Sequence, residues 1–141
     1  MITLNTKLDI SSLKKAVASL DSAIRIFHTF STASDDEKRL VGAGVIQNFE
    51  FTYELCWKMM KRWIEMNIGH DVVDGVTRRE LFRLGTENKL IDDVAKWMEF
   101  HSARNISSHT YDEDTAEEVI VVSFDFLSFA KNFLEKLEDR L

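Results

Sequence analysis

The chain contains no proline among its 141 residues, and this absence constrains its fold more than any other single feature. Proline breaks helices because it lacks a backbone N–H and clashes with the preceding turn. Without it, long helices can form wherever apolar residues recur every three or four positions. Apolar residues make up 45% of the chain, which is enough for one globular core in a domain of this length. We therefore predict a single helical domain over residues 1–141.

Apolar spacing and capping residues divide the chain into elements. The first predicted helix begins after Ser11 or Ser12, either of which can cap it, and a turn follows at residues 31–36. A second helix is predicted over about 36–67, followed by a loop over 70–76. The remaining elements are a short helix over 77–84, a helix over about 92–104 and a last helix from 114 or 115. The short helix starts at a Thr77-x-x-Glu80 capping box and is expected to stop before Gly85. These elements predict an all-α fold, an antiparallel four-helix up-and-down bundle with one short extra helix.

The second helix carries more apolar surface than one buried face requires. Its main stripe consists of Val41, Val45, Phe49, Tyr53, Cys56, Met60 and Trp63. A second apolar set, Phe51, Leu55, Met59 and Met66, lies to one side of that stripe. We expect an apolar arc of this width to be covered twice, once by the bundle and once by a partner subunit. The pattern therefore predicts a homodimer.

Charge and cysteine content argue against several classes of function. Asp and Glu total 24 against 18 Lys and Arg, a net charge of −6, which disfavours broad nucleic-acid binding through many phosphate contacts. The single cysteine, Cys56, excludes an internal disulfide, and no Cys/His pattern predicts a metal site. Residues 1–4 do not form a signal-peptide pattern, and no apolar run approaches the roughly 18 residues of a membrane helix. We expect a cytoplasmic protein with no cofactor of its own.

Chemically active side chains concentrate in one short stretch, RNISSHTY. Its Arg104 and His109 are five residues apart, so on an unbroken helix they would point about 140° away from each other. For both to reach one ligand, the helix must end between them, and Ser107-Ser108 suits this because serine competes for backbone hydrogen bonds. The stretch would then offer a guanidinium for phosphate, an imidazole that titrates near neutral pH and the Tyr111 phenol.

Two blocks of the sequence resemble a known family. Arg104-Asn105, three further residues and His109-Thr110-Tyr111 are similar to the R-N-x-x-x-H-x-Y signature of HEPN domains. The stretch QNFEFTYELCWK at residues 47–58 resembles a block of one HEPN branch, the nucleotidyltransferase substrate-binding proteins. The resemblance implies a dimerising helical bundle that is the partner of a separate minimal nucleotidyltransferase of the MNT type. Any metal ion would then belong to that partner.

The catalytic signature of such a transferase is missing from this sequence. That class needs a strand-borne Gly-Ser turn followed by an Asp-x-Asp pair for metal ions. The nearest approaches here, Gly85-Thr86 and Asp92-Asp93, lie among predicted helices, and adjacent acids would not sit side by side on a strand. The first hypothesis is therefore a non-catalytic, homodimeric subunit that binds a nucleotide or phosphate for a separate transferase.

The same resemblance implies an enzymatic alternative, since related HEPN proteins are metal-independent ribonuclease toxins. On this hypothesis Arg104 holds the scissile phosphate of RNA, and His109 is the general acid or base. Asn105 would orient this pair. Tyr111 would be the phenol to which the cognate transferase attaches AMP, and that modification would neutralise the toxin.

Simpler interpretations stand beside both hypotheses. Arg104 and His109 can be an ordinary ion-pair residue and a surface histidine in a helical scaffold that binds no ligand. Glu50 and Glu54, one helical turn apart, are expected on a solvated or interface face, with Glu54 in the favourable order for an ion pair with Lys58. These two carboxylates do not lead us to predict a metal.

Overall fold

A computed structural model describes residues 7–30 and 34–141 of the protein. Its helices are α1 Ser11–Thr29, α2 Asp35–Asn67, α3 His70–Val73, α4 Arg78–Glu87, α5 Val94–Ile106 and α6 Glu113–Glu138, with a 3₁₀ turn at Ser107–His109. No strand occurs in these two ranges, so the all-α prediction is confirmed. Residues 31–33 of the predicted first turn lie outside the described residues. None of the described helices is both long and apolar enough to cross a membrane.

Side-chain contacts define the direction of the four long helices. Between α1 and α2, Ser19 Oγ donates to Asn48 Oδ1 at 2.6 Å. One turn further along α2, Thr52 Oγ1 lies 3.2 Å from the carbonyl oxygen of Ala16, earlier in α1, so the two helices run antiparallel. Three other interfaces are also antiparallel, since the later residue of one helix contacts the earlier residue of the other. The pairs are Lys14–Glu138 and Asp21–Lys131 between α1 and α6, and Glu50–Arg104 and Tyr53–His101 between α2 and α5. Between α5 and α6 they are Trp97–Phe133 and Phe100–Phe129. Thus α1 and α5 run one way, and α2 and α6 run the other.

Aromatic rings from α2, α5 and α6 meet at the centre of the core. Trp97 and Phe126 pack edge to face with their ring centroids 5.8 Å apart, and Phe49 packs on the other side of Phe126 at 5.2 Å. All three are essentially buried. Such edge-to-face pairs contribute about 0.5–1.5 kcal/mol beyond the burial of their area. This cluster holds α5 against α2 and so determines where the end of α5 lies.

The starts of α1 and α2 differ from the sequence prediction in how they are capped, and α5 and α6 begin at Val94 and Glu113, close to the predicted starts at about 92 and at 114 or 115. The serine predicted to cap α1 is itself helical, and Asp9 Oδ1 instead accepts from the Ser11 backbone N–H at 3.0 Å and from its hydroxyl at 2.7 Å. The predicted cap is therefore wrong, because a carboxylate two residues earlier satisfies the free N–H. Helix α2 begins one residue before the predicted start, behind a capping box formed by Ser34 and Glu37.

The segment between α2 and α5 contains more helix than predicted. The loop predicted over residues 70–76 includes the single turn α3, although the turn at Gly75 is present with φ +70°. Helix α4 does not stop before Gly85 but continues to Glu87. A Cβ at Gly85 would lie 2.6 Å from Met60 Sδ. This glycine therefore permits close packing of α4 on α2 and does not end the helix.

The apolar arc of α2 is only partly covered within one chain. Most of the predicted main stripe is buried in the core. In contrast, Leu40 is 76% exposed and Phe51 is 66% exposed. Eleven residues separate these two side chains, so they lie on almost the same face of the helix. An uncovered apolar face of this kind agrees with the predicted homodimer, which stays a prediction.

Candidate functional site

The junction between α5 and α6 carries the residues that the sequence singled out. Helix α5 ends at Ile106, so the break predicted between Arg104 and His109 is present. Ser107 occupies this break, and its Oγ lies 2.8 Å from the Arg104 carbonyl oxygen and 2.5 Å from Glu50 Oε2. The hydroxyl has one proton, and the shorter contact with a charged carboxylate takes it. The turn is thereby attached to α2.

Arg104 points from the last turn of α5 toward α2, where two carboxylates surround its guanidinium. Its Nη1 donates to Glu50 Oε2 at 3.0 Å and to Ser107 Oγ at 3.1 Å. Its buried Nε lies 3.4 Å from Glu54 Oε1, an ion-pair distance without hydrogen-bond geometry. The side chains of Arg104, Glu50 and Glu54 are 27–34% exposed. The two acids are partly exposed, so the expected solvated or interface face stays a prediction, and an anion would have to compete with them for Arg104.

Trp57 connects this ion-pair cluster to α4. Its Nε1 donates to Glu54 Oε2 at 3.1 Å, so Glu54 pairs with Trp57 and Arg104, where the sequence predicted Lys58. On the ring face of Trp57, the guanidinium carbon of Arg78 lies 3.4 Å from the centroid, close enough for a cation–π interaction. Burial lowers the pKa of Arg78 below its usual value. A second cation thus lies beside the acids that hold Arg104.

A buried tyrosine and a histidine link the core to Asn105. The Tyr53 hydroxyl, on a side chain that is 1% exposed, lies 2.8 Å from His101 Nδ1. On the other side of the ring, Asn105 Nδ2 lies 3.5 Å from His101 Nε2. In its neutral form the His101 ring has one donor and one acceptor nitrogen, so it can bridge the Tyr53 hydroxyl and the Asn105 amide. Burial lowers the pKa of His101, and nearby Arg78 lowers it further, which favours this neutral form.

His109 and Tyr111 form an exposed aromatic pair at the start of α6. Their ring centroids are 6.2 Å apart and the ring planes are nearly perpendicular. The Tyr111 side chain is 87% exposed and is therefore open to a modifying enzyme. The structure thus brings His109 and Tyr111 together. Arg104 lies at the other end of the turn, where its guanidinium bonds Ser107 and faces the α2 acids, and Asn105 contacts His101. Among the hydrogen bonds and ion pairs of these four residues, all of which the structure describes, none joins Arg104 or Asn105 to His109 or Tyr111.

A surface depression of about 390 Å³ opens beside the Arg104 guanidinium on α2. Its lining residues are Gln47, Glu50, Phe51, Glu54, Leu55, Lys58 and Arg104. They combine an exposed aromatic ring, an amide and two cations with two carboxylates. Such a surface can bind a planar ring or a charged group. Across the two described ranges, no group of three or more His, Cys, Asp or Glu side chains is placed to hold a metal ion.

The sequence reasoning missed His101 and Arg78 as neighbours of the site. A signal for His101 did exist. Tyr53 and His101 both lie on apolar stripes of helices expected to pack together, and buried polar groups on facing stripes need partners. Arg78 follows a helix cap and resembles any exposed cation in sequence. Its contact with Trp57 depends on how α4 crosses α2, which local spacing does not predict.

Comparisons with known proteins agree with the family resemblance. A family model described as nucleotidyltransferase substrate binding protein like matches residues 8–139. A curated protein from Haemophilus influenzae, named "Probable ribonuclease HepT", is 40% identical over 99 residues, which cover 70% of this chain and 68% of that protein.

Two solved structures share the fold. One, from Haemophilus influenzae, is described as the fold of a substrate binding domain of a nucleotidyltransferase. It has a TM-score of 0.87 and 33% identity, covering 92% of this chain and 99% of the other. The second, from Thermus thermophilus, has a TM-score of 0.71 and 22% identity, covering 89% and 98% of the two chains, and supports the fold alone.

Proposed function

The chain belongs to the family of nucleotidyltransferase substrate-binding proteins, and we propose that it is the nucleotide-binding and substrate-binding subunit of a two-component minimal nucleotidyltransferase. The observation that carries this proposal is the α5–α6 junction, where Arg104 lies in the last turn of one helix and the exposed pair His109 and Tyr111 precedes the next. The transferase itself would be a separate MNT-type chain, which would also supply any metal ion.

In this proposal, Arg104, Asn105, His109 and Tyr111 form the nucleotide site. An incoming phosphate would replace Glu50 on Nη1 of Arg104, because a guanidinium binds phosphate and carboxylate oxygens with the same geometry. The His109 imidazole and the Tyr111 hydroxyl would donate further hydrogen bonds. Asn105 would be kept in orientation by His101.

A homodimer is the second part of the proposal. The exposed side chains Leu40 and Phe51 on α2 support it, since exposed apolar side chains aligned on one helix face are typical of an interface. Phe51 also lines the depression next to Arg104. A second copy packed on this face would therefore cover the open side of the nucleotide site.

The test is binding of ATP and of a purified minimal transferase of the MNT type. The purified chain should form a complex with that transferase and bind ATP in calorimetry. Arg104→Ala should weaken ATP binding about tenfold, because a hydrogen bond to a charged group contributes about 1.5–3 kcal/mol. The control is Arg83→Ala, which removes the surface ion pair between Arg83 and Glu80 on α4 and should leave ATP binding unchanged. A wild-type chain that binds neither ATP nor the transferase contradicts the proposal.

A metal-independent ribonuclease is the second candidate function, favoured by the 40%-identical relative named "Probable ribonuclease HepT". Arg104 would neutralise the scissile phosphate of RNA, and His109 would act as the general acid or base. The partner transferase would neutralise this activity by transferring AMP from ATP to the Tyr111 oxygen, releasing pyrophosphate and the phenol proton. The high exposure of Tyr111 supports access by such an enzyme.

RNA cleavage in the presence of EDTA separates the two candidates. A ribonuclease should arrest growth when expressed alone and should cleave RNA without metal. His109→Ala should abolish cleavage, whereas His70→Ala, at an exposed histidine on α3, should not. Mass spectrometry of the co-expressed chain should find added AMP, which Tyr111→Phe should remove. The absence of cleavage together with an unmodified Tyr111 would contradict the ribonuclease.

A further inference from the structure

A groove along the first half of α6 has no role in the site described above. About 610 Å³ in volume, it is lined by Phe27, Asp114, Glu117, Glu118, Ile120, Val121, Val122 and Phe124. We call this surface the α6 groove. It lies between the start of α6 and the end of α1, whereas the depression at Arg104 lies on α2.

The apolar part of the α6 groove is exposed to solvent and packs against neighbouring helices. Val121 is 61% exposed in the middle of a helix whose opposite face is buried. The Phe124 ring packs against the rings of His28 and Phe27, with centroid distances of 4.8 Å and 5.9 Å. At the floor, Ile120 Cδ1 would lie 3.0 Å from a Cβ at Gly42, so α2 packs closely beneath it. The apolar residues of the groove are therefore fixed by their packing against α1 and α2.

The rim of the α6 groove is acidic on one side. Asp114, Glu117, Glu118 and Val121 follow the spacing i, i+3, i+4, i+7 and so share one helix face. Acids in the first turns suit the positive end of the helix dipole, which accounts for their presence. The dipole does not account for the exposed valine and the apolar floor that continue from them along the same face.

We infer that the α6 groove is the surface on which the transferase subunit docks, an inference that rests on the proposed two-component function. The docking surface of the transferase would insert an apolar side chain against Val121 and Phe124. Lysine or arginine side chains beside it would pair with Asp114, Glu117 and Glu118. Charge complementarity carries this choice, since an apolar centre with an acidic rim matches an apolar centre with a basic rim.

The position of the groove supports the same occupant. Tyr111 is three residues before Asp114, the first groove residue on α6. From the start of α6 to Phe124, the groove is only about 16 Å long, at 1.5 Å per residue. A transferase seated there would lie next to the exposed phenol and to His109. A second copy of this chain is a poorer match, because a symmetric contact would bring the three acids of each copy into one interface.

Association with the same purified MNT-type transferase tests the inference. The double variant E117K/E118K should weaken binding at least tenfold at low salt, and Val121→Asp should do the same without reversing the rim charge. Glu135→Lys, an exposed charge reversal about 26 Å further along α6, should change binding less than twofold. Circular dichroism of each variant should match that of the wild type, since the altered positions are exposed.

The outcomes separate this inference from the proposed function. A wild-type complex that both groove variants also form at full affinity would overturn the docking surface and leave the proposed function intact. If the wild-type chain does not bind the transferase, the proposed function and the docking surface fail together. If Val121→Asp turns a dimer into a monomer, the groove belongs to a second copy, and the inference is wrong.

Discussion

The charge presented at the α5–α6 junction is set by three residues. Arg104 contributes one positive charge, and Glu50 and Glu54 surround it with two negative ones. Because these side chains are about two-thirds covered, water screens their interaction less than on an open surface. In the proposed nucleotide site, Glu50 occupies the position that a phosphate would take, so a ligand would have to displace it. The affinity of the site for anions depends on this competition as much as on Arg104 itself.

Removing the charge of Glu50 should therefore strengthen nucleotide binding. In Glu50→Gln, the amide can still accept from Ser107 and Arg104, but it no longer competes as an anion for the guanidinium. We expect ATP to bind about three- to tenfold more tightly, a gain of roughly 0.7–1.4 kcal/mol, as measured by calorimetry at constant pH. Glu80→Gln, at the exposed partner of Arg83 on α4, is the matched control and should have no effect. Weaker ATP binding in Glu50→Gln would mean that Glu50 contacts the ligand directly.

His101 should make stability depend on pH. Burial holds its folded pKa below the value of about 6.5 that applies in the unfolded chain. Its contribution to stability is therefore present above pH 6.5 and is lost as the pH falls through the unfolded value toward the folded one. Urea unfolding between pH 7.5 and 5 should show a steeper loss of free energy for the wild type than for His101→Gln. The exposed-site variant His70→Gln should retain the wild-type slope, and equal slopes in all three proteins would contradict the assignment.

At single residues, the sequence predicts what depends on local chemistry and misses what depends on helix crossings. The break at Ser107 is predictable because a serine side chain competes for nearby backbone groups. The pairing of Arg104 with Glu50 joins residues 54 positions apart. It depends on which faces of α5 and α2 meet, so spacing within either helix alone cannot predict it.

At the scale of elements, long apolar stripes predict helices more reliably than local propensity does. The run Val119-Ile120-Val121-Val122 favours a strand by composition but lies within α6, because the helical stripe continues past it to Leu137. Element ends are less predictable. Gly85 has the character of a helix stop, yet α4 continues through it because Met60 needs the space of a missing side chain. Only the packing of α4 on α2 distinguishes these two uses of glycine.

Two glycine-to-alanine variants test this packing. At Gly85, an alanine Cβ would lie 2.6 Å from Met60 Sδ and 3.3 Å from Ile91 Cγ1. Overpacking costs about 1–3 kcal/mol, and the gain of about 1 kcal/mol in helix propensity leaves a net loss near 1 kcal/mol. At Gly44 in α2, the added Cβ meets no atom within 4 Å, so Gly44→Ala should raise the free energy of unfolding by up to about 1 kcal/mol. Urea titration of both variants should give opposite signs, and a more stable Gly85→Ala would refute the close packing.

At the scale of the whole molecule, the α2 face and the α6 groove are exposed surfaces of different character. The α2 face around Leu40 and Phe51 combines exposed apolar side chains with cations and carboxylates, whereas the α6 groove joins an apolar floor to a rim that carries only acids. A face that carries charges of both signs can pair with its own copy, since opposite charges can meet across a symmetric contact. An acidic rim suits a different, basic partner. The assembly we propose therefore has two copies joined through α2 and a transferase on each α6 groove.

The homodimer can be tested separately from the other contacts. We expect light scattering to give twice the chain mass at micromolar concentration. Phe51→Glu should give the monomer mass, because a charge buried without a partner costs several kcal/mol in an apolar interface. Ile26→Glu changes a side chain that is 49% exposed on α1 and should leave the dimer intact. Because Phe51 also lines the depression beside Arg104, the monomeric variant should lose ATP affinity as well. A monomer that binds ATP with wild-type affinity would mean that each chain carries a complete nucleotide site and that the α2 face serves only assembly.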